Sequence, residues 1–123
     1  MHEMSICQGL MDEVERIAGE RGAARVDSIV LSIGPLSGVE PELLSRAFEI
    51  ARLRTIAENA VLEIRTGPVL VECRACGARG EAKVNHLACP SCGDWQVDLL
   101  AGDELLLLRL EVSDTRAGQA TEI

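Results

Sequence analysis

A chain of 123 residues with a formal net charge of −8 is long enough for one domain, or for one domain carrying a small module. The acidity argues against general nucleic-acid binding, which needs Lys and Arg to neutralise phosphate, and suits the attraction of cations or of a basic partner. With one Phe, one Trp and no Tyr, the core must be built from Leu, Ile, Val and Ala, and a small core of that kind gains from a metal staple.

The opening MHEMSIC has no basic region followed by a long apolar stretch, so no secretory signal is read. The longest apolar run, Leu105 to Leu108, is far too short to span a bilayer. A cytoplasmic location without membrane contact is expected. In that reducing setting paired cysteines read as metal ligands, not disulfides.

Met4 to Arg21 is predicted as an amphipathic helix. Cys7, Leu10, Met11, Val14, Ile17 and Ala18 recur at steps of three and four, and Asp12, Glu13, Glu15, Arg16 and Glu20 take the other side. Gly22 stops it. Val26 to Ile33 alternates as a strand, and Gly34-Pro35 and Ser37-Gly38 mark a loop. A second helix starts near Pro41, a residue suited to the first helical position. Its buried stripe is Leu44, Ala47, Phe48 and Ala51, and it is expected to end before Asn59. Ala60 to Thr66 and Val69 to Cys73 read as strands around Gly67-Pro68. Val97 to Leu100 is a short strand. Glu104 to Val112 is the clearest, with Leu106, Leu108, Leu110 and Val112 on one face.

Between these strands lie four cysteines in two C-x-x-C pairs, Cys73/Cys76 and Cys89/Cys92, each followed by a glycine, Gly77 and Gly93. Two such pairs complete a tetrahedral S₄ shell, and glycine permits the positive φ of a tight turn around a metal-bound sulfur. A structural Zn(II) is expected, with rubredoxin-like iron the minor alternative. Four cysteines leave no open position for catalysis. His86 lies near Cys89 and reads as a polar loop residue, with exchange for a cysteine ligand the lesser reading. From Cys73 to Gly93 three cations (Arg74, Arg79, Lys83) face one acid, Glu81. The resulting +2 is cancelled by a Zn²⁺ in four thiolates. That argues against the nucleic-acid role common to zinc ribbons, which stays as the alternative function: a zinc-ribbon regulatory or nucleic-acid-binding adaptor.

The last strand lies beyond the metal module and needs a sheet to join. The fold class expected is therefore α+β: two helices on a three- to four-stranded sheet, with an inserted zinc ribbon. The boundaries expected are 1–70 plus 103–112 for the α/β domain, 71–102 for the zinc module and 113–123 for a polar, frayed tail.

Met1-His2-Glu3 gathers an amine, an imidazole and backbone amides within three residues. Ni(II) accepts such nitrogens in a plane. On these residues alone, a solvated His2 and a Glu3 that favours the helix N-terminus is the stronger reading. The order of motifs alters that balance. MHE before a helix, then IGPLSGVEPELLSRAFEIAR, AENAVLEI, CRACG…CPSCG and LLLLRLEV resembles the HypA/HybF family of hydrogenase-maturation nickel chaperones over residues 1 to about 112. The resemblance implies a nickel-binding domain and a separate zinc module. His2 matches the family's nickel ligand, with the amide or carboxylate of Glu3 and the amine of Met1 beside it. Cys73, Cys76, Cys89 and Cys92 match the zinc ligands. Glu40 matches an acidic position in the central loop, or simply caps the second helix. Cys7 is outside the family motif and falls on a buried helix face, where free cysteine acts as a small apolar residue. An extra soft ligand is its lesser reading.

The implied function is not enzymatic. It is binding of Ni(II) as cargo at the N-terminus and its delivery during [NiFe]-hydrogenase maturation, with some relatives also serving urease. The partners implied are a maturation GTPase and the hydrogenase large-subunit precursor. A homodimer by strand exchange is left open.

Overall fold

A computed structural model describes residues 2–114 and 120–122, with the backbone alone described for His2 and 120–122. The elements in chain order are α1 (His2–Glu20), β1 (Arg25–Ile33), α2 (Pro41–Ala51), β2 (Val61–Thr66), β3 (Val69–Cys73), β4 (Arg79–Ala82), β5 (Val97–Ala101), β6 (Leu105–Ser113) and β7 (Ala120–Glu122). They form a four-stranded sheet in the order β2-β1-β6-β7 and a three-stranded sheet in the order β4-β3-β5. The class is α+β with two helices, as the periodicity predicts. No helix among the described residues is long and apolar enough to cross a membrane.

The chain divides into two compact units. The first comprises Met1–Leu31, Val39–Ile64 and Leu107–Ile123. Its core is closed by Cys7, Met11, Val14 and Ala18 of α1, Leu44, Ala47 and Phe48 of α2, the β1 residues Val26, Ile29, Val30 and Leu31, and Leu110 and Val112 of β6. These belong to the helical stripes that the sequence marks, of which Leu10, Ile17 and Ala51 are only half-buried, and α1 packs on α2. Gly22 ends α1 at φ 65. The amide of Ala23 donates to the carbonyl of Ala18 (2.9 Å) and that of Gly22 to Gly19 (3.1 Å), the reciprocal pair that satisfies orphan carbonyls at a helix end.

α2 stops at Ala51, a full two turns before the expected limit at Asn59. The Thr55 hydroxyl donates to the Arg52 carbonyl at 2.6 Å and accepts from the Ala57 amide at 3.1 Å. A threonine offering such local bonds competes with the helix ladder, and Arg54 then adopts a left-handed φ of 62°. Glu40 precedes Pro41 with no side-chain cap bond. Its carbonyl, not its carboxylate, accepts the first helical bond, from the Leu44 amide (2.9 Å).

β6 keeps the expected alternation only in part. Leu110 and Val112 are buried, whereas Leu106 and Leu108 on the same face are about half exposed. Alternation assigns residues to a face and is silent on how far along the strand that face is covered. Residues 113–123, read from the sequence as a tail, include buried Ser113 and the strand β7, whose Ala120, Thr121 and Glu122 pair antiparallel with Ser113, Val112 and Glu111. Residues 115–119 and 123 lie outside the described residues.

The second unit comprises Ser32–Gly38 and Arg65–Leu106. β3 is its central strand, antiparallel to β4 (Leu70 opposite Glu81) and to β5 (Val71 opposite Leu99). β4, with the sequence Arg-Gly-Glu-Ala, has no hydrophobic alternation and gives no strand signal. The loop after β1 is fastened by backbone bonds: the Gly34 amide donates to the Glu104 carbonyl (2.8 Å) and the Leu36 amide to that of Gly102 (2.6 Å). A Cβ on Gly34 would drive into the Gly102 carbonyl. Because backbone cannot yield as a flexible side chain does, Gly34→Ala is expected to destabilise the protein by about 1–3 kcal/mol, measured as a lowered denaturation midpoint.

Candidate metal centres

β3 runs directly into the first cysteine pair, and the second pair precedes β5. Each pair folds into the same short knuckle. In the first, the Gly77 amide donates to the Cys73 carbonyl (3.0 Å) and the Cys73 amide to that of Ala78 (2.9 Å). In the second, Gly93 donates to Cys89 (3.0 Å) and Cys89 to Asp94 (2.8 Å). Gly77 and Gly93 take φ of 76° and 80°, the left-handed turn for which glycine has no steric penalty. The sequence places a glycine after each pair for that reason.

The knuckles bring the four sulfurs together. Cys73, Cys76, Cys89 and Cys92 each offer one Sγ, and all lie within 4.8 Å of one another. Cys73 Sγ is 3.6 Å from Cys92 Sγ, and Cys76 Sγ is 3.5 Å from Cys89 Sγ. Backbone amides point at the inner sulfurs: those of Ala75 and Cys76 at Cys73 (3.3 and 3.4 Å), and those of Ser91 and Cys92 at Cys89 (3.3 Å each). These are the donors that a thiolate requires. The Cys92 amide, with that of Ser91, draws the Cys89 thiol down to about 6. Cys92 receives help from the Asp94 amide, yet its neighbour Cys73 and burial push it up to about 12. Sulfurs this close cannot all carry charge by themselves, and a dication resolves the conflict by ionising all four. The donor set, S₄ and closed, fits Zn(II) in a structural role.

Arg74 and Asp98 tie the first knuckle to β5 through two bonds to one carboxylate oxygen (2.9 and 2.6 Å). His86 is exposed, bridges to Lys83, and is not among the four clustered ligands.

The N-terminal residues differ in what is described. Glu3 and the backbone of His2 form the first turn of α1. Met1 and the His2 side chain lie outside the described residues. Cys7, one turn further on, is fully buried. Its thiol donates to the Leu44 carbonyl at 3.5 Å. Burial, with a smaller contribution from the Glu3 carboxylate, pushes it up to about 11. A neutral thiol facing a carbonyl in the core is not placed to take a metal, so the apolar reading of Cys7 holds. With zinc bound, Ellman's reagent at pH 8 is expected to leave Cys7 untouched until the protein is unfolded, when the thiol returns to about its ordinary pKa of 8.5.

Comparison with known proteins decides the family. Residues 1–112 match the family described as "Hydrogenase/urease nickel incorporation, metallochaperone, hypA". The chain belongs to the HypA family. The hydrogenase maturation factor HypA of Nitrosospira multiformis is 45% identical over 94% of this chain and 100% of its own. HypA 2 of Bradyrhizobium diazoefficiens is 43% identical over 91% and 99%. Among solved structures, the nickel metallochaperone HypA from Helicobacter pylori superposes with a TM-score of 0.70 at 27% identity, covering 91% of this chain and 97% of that one. The chain is thus a HypA-type nickel metallochaperone of hydrogenase maturation, and the zinc-ribbon adaptor alternative is set aside. Its four clustered cysteines fit a structural zinc site.

Proposed function

We propose that this HypA protein holds Ni(II) as cargo at Met1, His2 and Glu3, and surrenders it in the cytoplasm to the maturation machinery of [NiFe]-hydrogenase, with urease a second destination. The observation that carries this reading is the family match across residues 1–112, which takes in the Met1-His2-Glu3 segment. The start of α1 at His2 supports it physically. The first four amides of a helix have no intrahelical acceptor, so the amides of His2 and Glu3 can lose their protons to Ni(II) without breaking a helical bond. With the Met1 amine and the His2 imidazole they make up the nitrogen-rich plane that Ni(II) accepts.

The same location favours release. The positive end of the helix dipole opposes a bound cation by roughly 0.3–1 kcal/mol. The ligands sit on a single turn, so a recipient can displace them in sequence. The recipient chemistry is a GTPase of the pathway acting with the hydrogenase large-subunit precursor. The protein performs no bond-making step of its own.

The test is nickel uptake by zinc-loaded protein with a native N-terminus, compared with the same chain preceded by Gly-Ser. The native chain is expected to take one Ni(II) beyond its zinc. The extension, which turns the amine into an amide, is expected to weaken binding by more than about tenfold, or roughly 1.4 kcal/mol. Equal affinity in both chains would overturn the assignment of the terminal amine.

A further inference from the structure

The four zinc cysteines are not equivalent. Cys73 and Cys89 are buried, whereas Cys76 and Cys92 are exposed. Each inner sulfur accepts two backbone amides, Cys73 those of Ala75 and Cys76, Cys89 those of Ser91 and Cys92. Each outer sulfur is met by one, the Ala78 amide at Cys76 and the Asp94 amide at Cys92. Amide donors take up the charge of a thiolate, so in the zinc-bound set the outer sulfurs keep more of theirs and also face water. Oxidation of cysteine follows thiolate character and exposure, which directs an oxidant to Cys76 and Cys92.

The close sulfur contacts cross from one knuckle to the other. Exposed Cys92 lies 3.6 Å from buried Cys73, and exposed Cys76 lies 3.5 Å from buried Cys89. Each outer sulfur thus has a sheltered partner in the opposite knuckle. The fifth cysteine, Cys7, is fully buried in the first unit and offers no competing thiol.

We infer that the zinc centre is also a peroxide-sensitive switch, in which oxidation expels the zinc and joins Cys92 to Cys73 and Cys76 to Cys89. The outer thiolate attacks one oxygen of the peroxide and breaks the O–O bond, giving a sulfenic acid and hydroxide. The inner thiolate then attacks the sulfenic sulfur, forms the S–S bond and expels a second hydroxide. Two electrons leave the sulfurs and reduce one peroxide, and two protons turn the hydroxides into water. The second pair repeats the sequence with a second peroxide, and Zn²⁺ is released because no thiolate remains to hold it. A dithiol reductant reverses each bond by thiol–disulfide exchange, itself becoming the disulfide, and the thiols can take zinc again.

The pairing decides what oxidation does to the fold. Bonds within each knuckle would leave the two knuckles unconnected. Bonds across them join the end of β3 to the knuckle that precedes β5 in place of the metal, and a cross-link that closes a longer loop restrains the unfolded chain. Oxidised protein therefore keeps the order of the second unit. The switch rests on the zinc site alone and stands wherever nickel is held.

The experiment treats zinc-loaded, full-length protein with hydrogen peroxide, follows zinc release with pyridylazoresorcinol, blocks free thiols with N-ethylmaleimide and maps disulfides by mass spectrometry. Trypsin cuts after Arg74 and Arg79, so Cys73, Cys76 and the Cys89/Cys92 pair fall on three peptides. One zinc is expected to leave for every two peroxides consumed, with all three peptides joined through the one that carries Cys89 and Cys92. Fragmentation is expected to place the bonds at Cys73–Cys92 and Cys76–Cys89, with Cys7 in neither. Amide dispersion for residues 65–106 should persist after oxidation, and dithiothreitol with zinc should restore the starting spectrum. Chelated, reduced protein oxidised in the same way is expected to give bonds within the knuckles, since the shortest loops close most readily in an unordered chain. Zinc retained through a large excess of peroxide, bonds within the knuckles of the zinc-loaded protein, sulfinic acids in place of disulfides, or loss of dispersion on oxidation would each overturn the inference. So would the same cross-knuckle pattern from the chelated chain.

Discussion

His2→Ala is expected to lower nickel affinity by more than about 100-fold while leaving one zinc per chain, since even the outer partners of a metal ligand account for ~10–100-fold in affinity. The comparison is clean because alanine is the better helix former, and His2 is the first residue of α1. The helix should therefore be at least as stable in the variant. Amine and imidazole ligands bind metal only after losing their protons. Nickel affinity of the parent chain should accordingly fall on acidification, and His2→Ala should make that dependence shallower by removing the imidazole proton from those that the amine, the imidazole and the two amides release. Calorimetry across pH, with zinc content checked at each point, reads both effects. Full nickel affinity in His2→Ala would move the cargo site elsewhere on the molecule.

Cys89→Ser is expected to abolish zinc binding and with it the order of the second unit. That unit has a thin core: Ile33, Val69, Val71 and Ala88 are its buried apolar residues besides Cys73 and Cys89. Burying one Val or Ile yields ~1.5–3 kcal/mol, whereas structural zinc contributes about 10–16 kcal/mol in small zinc modules. The metal therefore outweighs any single apolar side chain several-fold in holding this unit together. Cys89 is also the sulfur on which the Ser91 and Cys92 amides converge, so a serine there leaves two donors aimed at an oxygen that does not ionise. The expected result is loss of amide dispersion for residues 65–106 by NMR and a metal content near zero. A chelator should do the same to the parent chain. Retained dispersion in the variant would show that the sheet of β3, β4 and β5 stands without its metal.

How much of this was legible in the sequence depends on the range of the signal. The knuckles were readable because each depends on a few neighbouring residues: two cysteines at fixed spacing and a glycine that must turn left-handed. The buried stripes of α1 and α2 were readable for a similar reason, since a helix repeats its environment every three to four residues. Pairing was not. β4 carries no alternation, and the sulfur neighbours Cys73–Cys92 and Cys76–Cys89 are set by how the two knuckles face each other. Extent of cover was not readable either. Leu106 and Leu110 have the same character and share a face, yet only Leu110 is sealed. Leu43 and Leu44 are neighbours of one type, yet in the face that α1 covers Leu44 is core, while Leu43 stays about half exposed. The N-terminal site was weakest of all, because three residues at a chain end carry too little pattern to outweigh a solvated histidine without the order of motifs behind them.

The sealed thiol of Cys7 has a practical side. Where the four other cysteines hold zinc, the native protein presents no sulfur free for conjugation, so all five can stay in place while one is added. Gly9 is exposed on α1 and its Cβ direction is open. A Gly9→Cys chain would thus carry a single attachment point for a fluorophore or spin probe, two turns from His2, from which the capture and departure of a paramagnetic or quenching ion could be timed in a stopped-flow cell.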